Sequence, residues 1–168
     1  INISTTLTMK SITVSNSSGT AVYTGSGTSA SFSLSDGSYS ISIKYVWTRT
    51  QRGVTTTWNY TFASSIVVDT TAPTGVIKNS SGTTLTSSYT NGAFYYTATD
   101  SNGVSYMQYM TPGSSSWATY SGSTIAATAT NGTYQFRAVD KAGNVSTAST
   151  SNSICASHDQ GKTTQKSA

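Results

Sequence analysis

The chain is predicted to be all-β, and three observations carry the prediction. Short segments rich in Thr, Tyr, Val and Ile alternate apolar with polar positions. Ser-Gly, Asn-Gly and Asp-Gly pairs bound those segments as turns do. No stretch shows a convincing helical period. Length adds less, since 168 residues suit one average domain or two small ones.

Taken in chain order, Tyr39, Ile41, Ile43 and Tyr45 alternate with Ser40, Ser42 and Lys44, which puts the apolar set on one sheet face. Residues 43–62 read as a long hairpin with Arg52-Gly53 as its two-residue turn, so that paired residue numbers add to 105. Trp47 then faces Trp58, Tyr45 faces Tyr60 and Ile43 faces Phe62, all on the core side. Toward its tip this hairpin outruns the core. The longest apolar runs, such as Ile66-Val67-Val68, are far too short for a membrane span. Pro73, within Asp69-Thr70-Thr71-Ala72-Pro73-Thr74, interrupts a strand run and marks a linker or the start of an edge strand. Phe94, Tyr96 and Ala98 share one face, as do Tyr134, Phe136 and Ala138 against Gln135 and Arg137. Residues 151–168 lose the alternation and read as a polar tail or linker.

An internal repeat organises these strands. Asp36-Gly37-Ser38-Tyr39-Ser40-Ile41 aligns with Asn131-Gly132-Thr133-Tyr134-Gln135-Phe136, 95 positions later, and Tyr23-Thr24-Gly25-Ser26 with Tyr120-Ser121-Gly122-Ser123. Two domains follow, 1–68 and 69–150, with 151–168 beyond them. The offset of 95 puts the start of the first copy before Ile1, so its first strand is expected to be missing. Such a gap is either a smaller first sandwich or a place for a strand donated by a neighbouring chain. The chain opens without an initiator Met or signal-like apolar core and reads as a piece of something longer.

Several spaced motifs agree in order with a known family. Asp69-Thr70-Thr71-Ala72-Pro73-Thr74, Ala98-Thr99-Asp100 with Gly103-Val104, and the run from Asn131-Gly132-Thr133-Tyr134 to Asp140-Lys141-Ala142-Gly143-Asn144-Val145-Ser146 closely resemble bacterial immunoglobulin-like repeats of surface and secreted proteins. The resemblance covers 69–150; for 1–68 it rests mostly on the repeat. It implies two tandem immunoglobulin-like β-sandwiches in a long exported polypeptide, where such copies serve as spacers or adhesive modules. Tyr39 and Tyr134 fit the tyrosine corner of that fold, a structural role.

Composition argues against several functions. There is no Glu, charged residues make up 8%, and 32 Ser with 32 Thr outnumber the hydrophobic set. One His (His158), one Cys (Cys155) and five Asp leave few groups for acid–base chemistry or zinc, so no enzyme is expected. Cys155 and His158 stand three apart, but no second pair completes a metal site. A single cysteine allows no internal disulfide. The net charge of +4 comes from scattered Lys and Arg without a run that would track phosphates, so nucleic acid is not an expected partner, and neither is membrane insertion. The absent Glu and few Asp argue against Lys-to-Asn isopeptide bonds, with Lys10, Lys44 and Lys78 the residues left open, and the six Asn-x-Ser/Thr sequons are near what this hydroxyl content gives by chance.

Two constellations are candidate sites. Asp69, Asp100 and Asp140, with Asn102 and Asn144 in the same turns, fall at one pole of a sandwich of this order, where converging oxygens would suit calcium. The alternative is that each Asp caps its own turn. Trp47 and Trp58, with Arg49 and Arg52 nearby, form an aromatic pair suited to stacking on sugar rings or packing on a preceding domain. Here the alternative is that both indoles close the end of the core. Tyr95, Tyr109, Trp117 and Tyr120 have no spacing that forces one platform. The functional expectation is a non-catalytic tandem segment of a bacterial extracellular protein, a stalk or spacer that also adheres. It needs no cofactor, with calcium the candidate ion. Its expected partners are neighbouring domains of a longer chain and a glycan or host-surface ligand. The other two readings are a carbohydrate-binding accessory of a secreted polysaccharide-degrading enzyme and a subunit of a surface fibre or phage particle.

Overall fold

A computed structural model describes residues 2–87, 89–146 and 153–157. The protein is all-β: eleven strands and no helix among the described residues. It divides into two compact units, Ile1–Thr70 and Thr71–Ala168, two residues from the expected boundary.

The first unit holds four strands, β1 (Asn2–Asn16), β2 (Ala21–Ser31), β3 (Gly37–Gln51) and β4 (Val54–Val68), in one antiparallel sheet of order β2-β1-β3-β4. β3 and β4 pair without a register shift from Gly37↔Val68 to Gln51↔Val54, so every pair adds to 105 as expected. The turn explains this regularity: Arg52 (φ 52°) and Gly53 (φ 77°) both take positive φ, the type I′ geometry that matches the twist of two tightly joined strands. Ile12, Val14, Ala30, Phe32, Tyr39 and Ile41 form the core, with Ile43, Ile66 and Val68 packed against it. The Tyr39 hydroxyl donates to the Ser35 carbonyl at 2.9 Å, four residues upstream.

The second unit holds seven strands, β5 (Thr74–Asn79), β6 (Tyr89–Thr90), β7 (Phe94–Thr99), β8 (Val104–Met110), β9 (Ala118–Tyr120), β10 (Gly132–Asp140) and β11 (Ser153–Ala156). They form a two-stranded sheet β5-β7 and a five-stranded sheet β6-β11-β10-β8-β9. Ile77, Phe94 and Tyr96 of the smaller sheet share one core with Tyr120, Tyr134, Phe136 and Ile154 of the larger, a sandwich arrangement. Tyr96 stacks on Phe136 at 5.0 Å, and Phe94 meets Tyr134 edge-on. Burial pushes the Tyr96, Tyr120 and Tyr134 hydroxyls above their ordinary range. Tyr134 bonds to Thr130, again four residues upstream, so Tyr39 and Tyr134 make equivalent corners. Gly37 and Gly132, which open the two strands, both have positive φ, which accounts for glycine at both places.

Three expectations need correction. Residues 151–168 are not all tail: β11 pairs antiparallel with β10 and parallel with β6, and its Ile154 and Ala156 are core residues. The first unit has a counterpart of the second unit's first strand. Asn16-Ser17-Ser18-Gly19-Thr20 recurs unchanged as Asn79-Ser80-Ser81-Gly82-Thr83, 63 positions later. In each turn the Asn side-chain oxygen accepts two backbone N–H groups, from Ser18 and Thr20 and from Ser81 and Thr83. β1 is therefore the counterpart of β5. Because the corners are offset by 95, the second unit carries 32 more residues between the two markers, where it has β6 to β9 against β2 alone in the first unit. Third, without that insertion the first unit has one sheet rather than the two of a sandwich: β1 bonds directly to β3, while in the second unit β5 and β10 lie in different sheets.

Candidate functional site

The two-residue turn and unbroken register project one long ribbon, β3–β4, with odd-numbered residues of β3 and even-numbered residues of β4 on a single face. At its base Tyr39 and Ile41 are buried. Farther out the same face is open: Phe62 is 54% exposed, Tyr60 43%, Trp47 42% and Trp58 37%. Tyr45 stacks on Tyr60 at 5.2 Å and 16°, and Trp47 lies against Trp58 at 4.3 Å and 31°. The indoles do not close the core, which ends lower on the ribbon; among the aromatic residues of this face exposure begins at Phe62, which the hairpin register had placed on the core side. Each ring covers part of its mate, and Trp47, Trp58 and Tyr60 keep part of their surface in solvent. The result is an aromatic ladder rather than a flat platform.

Arg49 stands one step beyond Trp47 on the same strand face, opposite Thr56, and Arg52 occupies the tip. Both are exposed. Beside the Tyr45–Tyr60 rung lies a cavity of about 530 Å³ lined by Lys10, Ser11, Lys44, Asn59 and the two tyrosines. By the same alternation Ser11, Lys44 and Asn59 belong to the opposite face, so the polar neighbours of the ladder on its own face are Arg49 and Thr56.

The acidic residues are held by their own turns. Asp100 follows β7, and its Oδ1 accepts the N–H groups of Asn102 at 2.7 Å and Gly103 at 3.0 Å. Asp140 ends β10, and its Oδ1 accepts from Ala142, Gly143 and Asn144 while Oδ2 accepts from Asn144 Nδ2 at 2.8 Å. Burial raises the Asp140 carboxyl, but the bonds from Asn144, Gly143 and Ala142 together outweigh it and hold the group below its ordinary value. The two turns adjoin, with Lys141 N–H donating to Gly103 O, and the Asp100 and Asp140 carboxylates approach within 4.8 Å. Asp69 belongs to the first unit, two residues before the second begins. Asn102 Nδ2 donates to Ser101 Oγ at 3.4 Å, and Asn144 Nδ2 also reaches Thr71 O at 3.4 Å. The turn-capping role accounts for Asp100 and Asp140 on these bonds alone.

The second aromatic set is dispersed. Tyr120 is buried, its hydroxyl accepting from Tyr96 N–H and donating to Ser123 O, and Tyr109 packs against the same core. Trp117 lies under the Arg137 guanidinium, 4.3 Å from its ring centre, while Arg137 Nε donates to Gln108. Cys155 sits half-buried on β11; His158 lies outside the described residues. The sequence reading did not single out Tyr60 and Phe62 as exposed, although their pairing with Tyr45 and Ile43 followed from the same register.

The chain matches no protein-family model, no curated protein and no solved structure.

Proposed function

We propose that this chain is a non-catalytic segment of a bacterial extracellular protein that spaces and adheres, with the β3–β4 ladder as its ligand-contacting face and carbohydrate as the ligand class. The observation that carries this reading is the exposure of Trp47, Trp58, Tyr60 and Phe62 on one face beyond the core. Exposed aromatic rows cost solubility unless something uses them. Indole and phenol rings offer C–H-accepting faces to pyranose rings, and Arg49 and Thr56, next along the same face, offer bonds to sugar oxygens. The resemblance of 69–150 to immunoglobulin-like repeats and the low-charge, hydroxyl-rich composition support the extracellular setting.

A glycan array and polysaccharide pull-down with the intact chain, beside a folded Trp47→Ala/Trp58→Ala double variant, tests the proposal. Saturable binding lost in the variant is the expected result. No binding by either overturns the ladder as a glycan site and leaves a spacer, and equal binding by both overturns the ladder and moves the glycan site elsewhere on the chain.

A further inference from the structure

We infer that β4 is an association edge, and that two copies of this chain pair through it, antiparallel about a two-fold axis beside Tyr60. β4 lies at one end of its sheet and runs fifteen residues without a register shift, a proline or a charged residue. Those are the devices by which edge strands are protected from pairing. Several other edges are shorter or irregular, and β7, another uncharged edge with an unbroken register, has only six residues. β2 is broken by three register shifts and has Gly27 at φ 114°, β6 has two residues and β9 three.

The register of the pairing follows from the hairpin. A two-residue turn makes Gln51 and Val54 a hydrogen-bonded pair, so even-numbered residues of β4 turn their N–H and C=O groups toward β3. Thr55, Thr57, Asn59, Thr61, Ala63 and Ser65 therefore direct theirs outward. An antiparallel mate whose residue numbers add to 120 pairs Asn59 with Thr61, Thr57 with Ala63 and Thr55 with Ser65, satisfying these groups on both copies. The same register sets Tyr60 beside its own equivalent and Trp58 beside Phe62. It is the register that matches all three exposed aromatics of β4, and a two-fold axis perpendicular to the sheet keeps them on one face.

The occupant is a second copy because the edge is complementary to itself. The chain carries a net charge of +4, yet β4 contributes none of it, so two copies meet here without like charges in contact. Pairing lies in the plane of the sheet, so the aromatic face stays open and doubles in length. A single strand pair is a small interface, so the dimer is weak and depends on concentration.

Sedimentation velocity of the intact chain up to millimolar concentration, with two variants, tests this. The expected result is a shift from 17.5 kDa toward twice that mass. Thr61→Pro removes an outward N–H and leaves the β3 ladder intact; it should weaken association about tenfold or more. Tyr60→Cys in a Cys155→Ser background should form an intermolecular disulfide, because a non-hydrogen-bonded pair brings Cα atoms to about 4.5 Å. Thr57→Cys in that background should not, its mate being at position 63. If Thr61→Pro fails to fold, the cysteine pair decides. A chain that stays monomeric at millimolar concentration overturns the proposal and leaves the edge to a strand of a different protein. A dimer not trapped at position 60, or trapped equally at 57, also overturns it.

Discussion

Replacing Trp47 and Trp58 by alanine, singly and together, separates a surface ladder from a structural plug. The ring centres are 4.3 Å apart, and the residues keep 42% and 37% of their surface exposed. Roughly 150 Å² of each residue is covered, which at about 25 cal/mol/Å² sets a ceiling of about 3–4 kcal/mol per indole. Part of that covering is one ring on the other, and neither indole joins the core of Ile12, Val14 and Ile41. Each single substitution should therefore cost about 1–2 kcal/mol, with a coupling between the two of about 0.5–1 kcal/mol. Urea unfolding followed by far-UV circular dichroism on the parent, both single variants and the double variant yields the coupling as a thermodynamic cycle. The first unit should unfold cooperatively in all four. Loss of that transition, or single costs of about 3–5 kcal/mol as for core deletions, would refute the placement of the indoles beyond the core. A coupling near zero would refute the contact between the two indoles.

Three further predictions concern the scaffold. Gly75→Ala should destabilise the second unit by about 3 kcal/mol or more, because the added methyl would sit on the Tyr96 ring and hydroxyl; Tyr96→Phe should not rescue it, since ring carbons are also in the way, and thermal melts check both. Tyr39→Phe and Tyr134→Phe should each cost about 1 kcal/mol by loss of one corner hydrogen bond, measured in the same denaturation series. The Asp140 carboxyl has a lowered folded-state pKa, so its contribution is present above the unfolded value and is lost as pH falls through the folded one. The melting temperature of the second unit should decline below about pH 4, and Asp140→Asn should start lower and lose that part of the profile.

Much of the architecture was legible because it rests on local chemistry. The sum-of-105 register followed from Arg52-Gly53, since two residues at positive φ admit one tight turn between twisted strands. The corners followed from Gly-x-Tyr, where glycine supplies the positive φ and the tyrosine reaches back four residues. β11 was missed because four residues, of which Ile154 and Ala156 face inward, are too few to show a period in a Ser-rich stretch. The missing-strand expectation rested on one offset applied to the whole chain. The repeated Asn-Ser-Ser-Gly-Thr turn was present in the sequence, but at 63 positions rather than 95.

The candidate site divides in the same way. Alternation determined that Trp47, Trp58, Tyr60 and Phe62 share a face, because side chains in a strand alternate whatever surrounds them. Whether that face was core or surface depended on which residues distant in the chain gather on it: Ile12, Val14, Phe32 and Leu34 cluster with Tyr39 and Ile41, and neither indole belongs to that cluster. The partition into sheets was likewise a tertiary matter. The same turn-bearing strand bonds directly to the corner strand in the first unit and lies in a separate sheet in the second, since strand partners are chosen by which other strands are present to fill the space between. The sequence by itself determined strand, turn and face; the tertiary structure decided partners and depth, because pairing and burial are properties of the strands that meet rather than of any one of them.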